Sequence, residues 1–267
     1  MTGDLENDMA PRPGEAIDPI EMARRDLKSS LPKRFYKSVT LGESDGGYQV
    51  LLDGRPVRGP ARNVLCVPDK ALAAALAAEW QAQTDVIDPA AMPVTRIVNS
   101  ALDGVAQDTE AVAADIVKYA GSDLLCYRAG EPDSLVDEQR KAWDPVLDWL
   151  CEQHDAPFVL AEGVMFVNQP EATIVTFRKA LDRLAGVGTW RPLRLAALHV
   201  MTNLTGSALL AFAAASGQLS AREAWSAAHV DEDHQIRLWG EDNEASARRV
   251  RRWQEMQAAA IVFGHRE

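Results

Sequence analysis

Between residues 34 and 67, apolar and polar residues alternate with a period of two. The alternating apolar positions are Phe35, Val39 and Leu41 in one run and Tyr48, Val50 and Leu52 in the next. The sequences DGG at 45–47 and DG at 53–54 interrupt the alternation, and Asp-Gly pairs are typical of tight hairpin turns. Because such alternation places one face of each strand against a core, the pattern predicts a small antiparallel β unit of several strands.

After Pro68 the apolar residues recur at helical spacing. Asp69 is a suitable N-cap for a helix that ends near Trp80, and Pro145 should kink a later helix. Residues 158–168 are predicted to form a short hairpin. Further helices are expected after Pro93, from Asp108 to about Tyr127, from about Ser134 to Leu150, and over 171–185, 191–215, 220–239 and 243–263.

This change of pattern predicts an α+β fold, in which a small antiparallel β-rich N-terminal domain is followed by a larger all-helical C-terminal domain. We place the β-rich domain, with one helix, at residues 31–92 and the helical domain at residues 93–267. Residues 1–30 are acidic and contain several prolines and glycines, a composition that predicts a mobile tail.

The chain is acidic, with a formal net charge of −11 over 267 residues. A protein that neutralises nucleic-acid phosphates or docks on anionic lipid needs a basic face, so neither partner is expected. The most apolar segment is interrupted by Arg194, His199 and Asn203, which predicts a buried helix and not a membrane span. The N-terminal segment lacks the pattern of a secretory signal or a mitochondrial presequence. Three cysteines without metal-type spacing fit a reduced, cytoplasmic compartment.

Sequence motifs of several common enzyme classes are missing from the chain. It contains no GxxxxGK[ST] or GxGxxG phosphate loop, no GxSxG, no HExxH and no CxxC. These motifs mark nucleotide binding, acyl transfer, zinc hydrolysis and thiol redox chemistry. We therefore expect a protein that is not an enzyme and that needs no cofactor or metal.

The stretch richest in ionisable residues is HVDEDHQIRLWGEDNEA, from His229 to Ala245. Ser220 and Glu223 form a capping-box sequence and Gly240 is a natural terminator, so one helix is expected over 220–239. On that helix His234 would lie opposite His229, which prevents the two from binding one ion. The residues expected on the His229 face are Trp225, His229, Glu232, Ile236 and Trp239.

Glu232 lies on this face, where an apolar residue would be expected. Its carboxylate either pairs with His229 or with the arginines of residues 248–252, or it belongs to an outward surface that receives a partner protein. An alternative of another class is a metal-dependent hydrolase or lyase that uses His229 with Glu232 or Asp233 and with acids from elsewhere.

Seven phrases of the sequence, taken in order, indicate a family. They are KRFYKSV, VLLDGRPVRGPARN, AAEWQAQ, MPVTRIVNSALD, DLLCYRA, QRKAWDPVLDWL and HVDEDHQIRLWGEDNEA. Together, from about Pro32 to Phe263, they resemble the ATP synthase assembly chaperone family that handles the α subunit of the F(1) head. The resemblance implies a β-rich N-terminal and a helical C-terminal domain. It also implies a non-enzymatic chaperone that holds unassembled α subunit, and prevents its aggregation, until the β subunit replaces it.

The resemblance further implies where the partner binds. The functionally sensitive acidic position of the family lies in the helix before the WG pair, where the best match is Glu232 and the neighbouring candidate is Asp231. Gln235, Trp239 and Glu241 complete the expected contact set. The free protein should be a monomer, because the surface for α must stay open. In the family that the chain resembles, mitochondrial members carry an import presequence for the matrix. The acidic tail here looks instead like that of a bacterial member, so a cytoplasmic location is expected.

Overall fold

The structure is a computed structural model that describes residues 31–163 and 165–264. The predicted mobile tail, residues 1–30, therefore lies outside the described residues. The described chain divides into two compact units, which consist of residues 31–35 with 83–88, and of residues 36–82 with 89–163 and 165–264.

The smaller unit is held by backbone pairing between two short segments. Lys33 and Val86 form an antiparallel bridge. The backbone amide of Arg34 donates to the carbonyl of Asp85 at 2.9 Å, and the amide of Ile87 donates to the carbonyl of Pro32 at 2.8 Å. These bonds satisfy backbone groups that would otherwise need water.

The larger unit begins with a four-stranded antiparallel sheet. Its strands are β1 (Val39–Ser44), β2 (Gly47–Leu52), β3 (Arg55–Pro56) and β4 (Cys66–Val67). β2 is central and pairs with the other three strands. Val50 and Leu52 are buried, as the alternation predicts, whereas Phe35 precedes β1 and is 74% exposed. Gly47 is required at the turn, because a Cβ built there would lie 2.3 Å from the carbonyl oxygen of Val67.

Helices account for most of the remaining described chain. They are α1 (Lys70–Ala82), α2 (Pro93–Asp103), α3 (Thr109–Ala120), α4 (Asp133–His154), α5 (Glu171–Ala185), α6 (Trp190–Thr205), α7 (Ala208–Ala215), α8 (Ala221–Ala228), α9 (Val230–Trp239) and α10 (Asn243–Phe263). The central helix is α6, which packs against α2, α3, α7 and α10, while α1 covers β1 and β2. The predicted α+β class is thus confirmed. The domain boundary between residues 92 and 93 stays a prediction.

Three predicted elements differ from the structure. The expected hairpin at 158–168 is absent from the described residues there; instead β6 (Ala161–Glu162) pairs in parallel with β5 (Tyr127–Arg128). The helix expected over 191–215 ends at Gly206, whose φ of +67° breaks it, and α7 restarts after Ser207. The helix from Asp108 ends at Ala120, before the predicted end near Tyr127.

The core of the larger unit lies among the helices. Its largest fully buried side chains include Trp143, Phe177 and Phe212. The indole N–H of Trp143 donates to the carbonyl of Ala227 at 2.7 Å, which joins α4 to the end of α8. Within the described residues, none of the helices combines the length and the apolar character that crossing a membrane requires.

Candidate functional site

The predicted helix over 220–239 is interrupted at His229. α8 starts with a complete capping box, in which Ser220 and Glu223 exchange side-chain and backbone hydrogen bonds, as predicted. It ends at Ala228, because His229 leaves the helical conformation with φ −114° and ψ 19°. α9 then runs to Trp239 and ends at Gly240, the predicted terminator. The proposed continuous face from Trp225 to Trp239 is therefore wrong.

His229 is buried at the junction of α8 and α9. Its ring lies against Trp225, with 4.1 Å between the ring centroids, and its Nδ1 is 2.7 Å from the Trp225 carbonyl oxygen. A carbonyl accepts only, so Nδ1 carries the proton and donates. Burial lowers the pKa of His229, although the Trp225 hydrogen bond opposes that shift. The imidazole is therefore neutral at pH 7, with a lone pair on Nε2.

Glu232 faces this lone pair from the first turn of α9. Its Oε2 lies 3.8 Å from Nε2 of His229, and 44% of its side chain is exposed. A neutral imidazole protonated on Nδ1 cannot donate from Nε2, so His229 does not neutralise the carboxylate. In the described chain, no arginine of 248–252 forms an ion pair with Glu232. Arg249 pairs with Asp233, although the charge of Glu232 also helps to raise the pKa of Arg249. The Glu232 carboxylate is therefore partly open to solvent and forms no ion pair with an arginine of the described chain.

The acids on either side of Glu232 are engaged by other helices. Asp231 accepts a hydrogen bond at 2.8 Å from Nε2 of Gln139 on α4. Asp233 forms an ion pair with Arg249 on α10. Since both neighbours are engaged in holding α9 to α4 and α10, the three acids differ in availability although they are consecutive in sequence.

His234 lies on the packed side of α9. It is 7% exposed, and its Nδ1 is 3.4 Å from Oε2 of Glu138, which also pairs with Arg237. The sequence placed His234 opposite His229. Both rings are buried, but they have different neighbours. His229 contacts Trp225, whereas His234 lies beside Glu138.

The C-terminal end of α9 exposes large apolar side chains. Trp239 is 86% exposed and Leu238 is 61% exposed. Gln235 is also exposed, and the exposed Glu241 accepts a hydrogen bond from the hydroxyl of Ser246. The sequence singled out Trp239 but not Leu238, because Leu238 lies off the face that the helical pattern emphasised. The apolar area at this end is thus larger than expected.

The chain matches known proteins in sequence and in structure. A family model described as ATP12 chaperone protein matches residues 33–151. A crystal structure of a candidate chaperone from Agrobacterium tumefaciens is 49% identical, covers 93% of this chain and 91% of that chain, and has a TM-score of 0.83. The crystal structure of Atp12 from Paracoccus denitrificans is 40% identical, covers 87% of this chain and 97% of that chain, and has a TM-score of 0.78.

A more distant relative is protein atp12, mitochondrial, of Schizosaccharomyces pombe. It is 21% identical over 223 residues, which are 80% of this chain and 75% of the relative. The chain belongs to the ATP12 chaperone family. The resemblance seen in the seven sequence phrases is thereby confirmed, and with it membership of a family of F(1)-ATPase assembly chaperones.

The metal-dependent alternative finds little geometric support in this family member. The Nδ1–H of His229 donates to the Trp225 carbonyl, and Asp233 forms an ion pair with Arg249. Within residues 31–163 and 165–264, no group of three histidine, cysteine or carboxylate side chains is arranged to hold an ion. His229 with Glu232 alone would supply two ligands, and catalytic zinc sites in proteins use three.

A second exposed apolar segment lies between α4 and α5, where a hairpin was expected. Met165 is 75% and Phe166 is 66% exposed. The amide group of Gln169 closes this loop, since it accepts from the amide of Val159 at 2.8 Å and donates to its carbonyl at 2.9 Å. The adjacent apolar residues Met165 and Phe166 are visible in the sequence, but the prediction of a hairpin did not identify them as exposed.

Proposed function

We propose that the chain binds the unassembled α subunit of F-type ATP synthase and keeps it from aggregating until the β subunit replaces it. The observation that carries the proposal is the 40% identity to Atp12 of Paracoccus denitrificans over 97% of that chain. We further propose that it acts in the bacterial cytoplasm as a monomer, without enzymatic activity, cofactor or metal.

The physical demands on such a chaperone are simple. Subunits of a permanent ring bury interfaces of roughly 2,000 Å² or more, which are largely apolar. Unpaired, such a surface invites aggregation. A chaperone that covers it must bind less tightly than the final partner, so that exchange of partners releases the client. Nucleotide hydrolysis is not needed, in accord with the missing phosphate loop.

We propose that the contact surface is the outer side of α9 and the turn after it. Glu232 supplies a carboxylate that His229 does not neutralise. Trp239, at 86% exposure, supplies an aromatic side chain of the type that dominates binding energy in interfaces. Gln235 and Glu241 extend the polar rim, and Asp231 contributes by holding α9 to α4.

The proposed function is tested with purified α subunit diluted from denaturant. Light scattering should fall when the chaperone is present in equimolar amount, and α should co-purify with a tagged copy from cytoplasm. Unchanged scattering together with absence of α from the purified material would refute the proposal. Addition of β subunit should then displace the chaperone from α.

The contact surface is tested separately with Glu232→Gln. This change keeps the shape of the side chain and removes its charge, so the melting temperature should stay at the wild-type value. Binding of α should weaken by about 2 kcal/mol, roughly 30-fold, where the contact is desolvated. The matched control is Glu244→Gln, because Glu244 is an exposed acid near the start of α10 that pairs with Arg248.

Melting temperature and α binding, measured together on Glu232→Gln and Glu244→Gln, separate a contact role from a folding role. Trp239→Ala should likewise leave melting unchanged, since a side chain that is 86% exposed contributes little to the core, and should weaken α binding. A Glu232→Gln protein that melts earlier yet still protects α would count against this surface. So would equal losses of α binding in Glu232→Gln and Glu244→Gln.

A further inference from the structure

A cleft lies where α1, α6 and α10 meet. Its volume is about 440 Å³, within the range of sites that hold small organic molecules. The walls are mostly apolar side chains, contributed by all three helices: Ala71, Leu72, Ala75, Trp190, Ala260 and Ile261. The proposed chaperone function assigns no role to this cleft.

Among the described residues that line the cleft, Arg194 is the cation. Its guanidinium carbon lies 5.2 Å from the ring centroid of Trp190 and 5.5 Å from that of Phe263. Its Nε is buried and donates no hydrogen bond to the described protein. Within residues 31–163 and 165–264 no carboxylate forms an ion pair with this guanidinium. One turn earlier on the same helix, Arg191 pairs with two carboxylates.

The surroundings hold the guanidinium in place without neutralising it. The two aromatic rings stabilise the cation through their faces and restrict the plane of its donor fork. Gly186 allows the guanidinium to lie close to the backbone, because a Cβ at this position would crowd Nη1 of Arg194 at 3.2 Å. Nε itself is shielded from solvent, so a ligand in the cleft would meet the terminal Nη groups of a side chain that is already positioned.

We propose that this cleft binds a carboxylate carried by an apolar group of small-molecule size, such as an aryl or branched alkyl carboxylic acid. The Arg194 fork meets the carboxylate, and the walls formed by Leu72, Trp190 and Ile261 cover the apolar group. Asp69 also lines the cleft, and its Oδ1 accepts from two amides at the start of α1. Its negative charge favours ligands with one carboxylate over those with two. The inference does not rest on the chaperone function.

The test uses 3-phenylpropionate and its uncharged amide, 3-phenylpropionamide, as probes. Binding is measured by calorimetry and by the NMR signals of arginine Nε–H and tryptophan indole N–H groups. The acid should bind about tenfold or more tightly than the amide, because only the acid forms charge-assisted hydrogen bonds. Its addition should shift the Arg194 Nε–H signal. Equal binding of acid and amide, or no binding of either at millimolar concentration, would overturn the proposal.

Two variants and one control locate the site. Arg194→Gln should reduce acid binding about tenfold or more, to the level of the amide. Ala75→Leu narrows the cleft without touching the arginine and should weaken both probes equally. Arg140→Gln, which changes an exposed arginine of α4, should bind like the wild type. Melting curves identify a variant that fails to fold, in which case Ala75→Leu and the Nε–H signal decide the question. Acid binding that survives both variants refutes the site.

A peptide arm distinguishes the source of the carboxylate. Acetyl-Ala-Leu-Phe with a free C-terminus presents the same chemistry on a chain, and its C-terminal amide is the control. Tighter binding of the peptide acid than of 3-phenylpropionate would identify a chain terminus as the source. Tighter binding of 3-phenylpropionate would identify a free organic acid. Both results depend on Arg194, so Arg194→Gln must reduce binding of the preferred acid to the level of its amide.

Discussion

We predict that, relative to an Asp123→Asn variant, the protein gains stability as the pH falls from about 7 to about 4.5. Asp123 is buried, and its carboxylate accepts from the Ser207 hydroxyl at 2.6 Å and from the amides of Leu125 and Leu209, each at 3.1 Å. These bonds join the turn before β5 to the start of α7. Burial nevertheless raises the pKa of Asp123 to about 6, because the hydrogen bonds offset the desolvation only in part.

The sign of the effect follows from proton binding. An acid whose pKa is higher in the folded state than in the unfolded state binds more protons when folded. Its contribution to stability is fully present below 3.8, its ordinary value, and is lost as the pH rises through about 6. At about 1.4 kcal/mol per pKa unit, the whole difference corresponds to about 3 kcal/mol. About 2 kcal/mol of this should be regained between pH 7 and pH 4.5.

The assay is urea denaturation of the wild type and of Asp123→Asn at several pH values in this window. The difference in unfolding free energy between the two proteins should change by about 2 kcal/mol in favour of the wild type at the lower pH. Asp137→Asn, which alters an exposed acid of α4, should follow the wild type throughout. A carboxyl signal of Asp123 that titrates below pH 4 in NMR would refute the reasoning, as would parallel pH curves for the wild type and Asp123→Asn.

Three further predictions concern packing and assembly. Trp80→Arg should lower the free energy of unfolding, measured by urea denaturation, by about 3 kcal/mol, because it puts a guanidinium where an indole packs 5.8 Å from the ring of Tyr36. A wild-type melting temperature would contradict this packing. Trp143→Phe removes the donor to the Ala227 carbonyl and should lower the free energy of unfolding by about 2 kcal/mol. An unchanged denaturation midpoint would disprove this prediction. Light scattering of the free protein at micromolar concentration should give the chain mass of 29.2 kDa, and twice that value would exclude the monomer.

Much of the fold is encoded by residues that are close in sequence. The alternation that includes Val50 and Leu52 predicted β2, and the pair Ser220 and Glu223 predicted where α8 begins. Gly240 likewise marked the end of α9. Strand alternation, capping boxes and glycine terminators act within one turn or one strand, so a short window of sequence suffices to specify them. The family was also readable from ordered phrases alone.

The candidate site was predictable only in its location. The sequence showed that acids and aromatic residues concentrate around α9, but the expected single helix breaks at His229. The carbonyls of Trp225 and Ala227, in the last turn of α8, accept hydrogen bonds from the side chains of His229 and Trp143. Trp143 lies 84 residues from Ala227 in sequence, so no local pattern could announce its hydrogen bond.

Tertiary structure also decided which two of three consecutive acids bind a side chain of another helix. Asp231 is engaged by Gln139, 92 residues away, and Asp233 by Arg249, 16 residues away. Glu232 is left facing a neutral histidine. The sequence determined that carboxylates occupy these positions. The helices that fold against α9 determined which of them is left without an arginine or glutamine partner, because an ion pair or hydrogen bond depends on the side chain that lies opposite, and not on the neighbours along the chain.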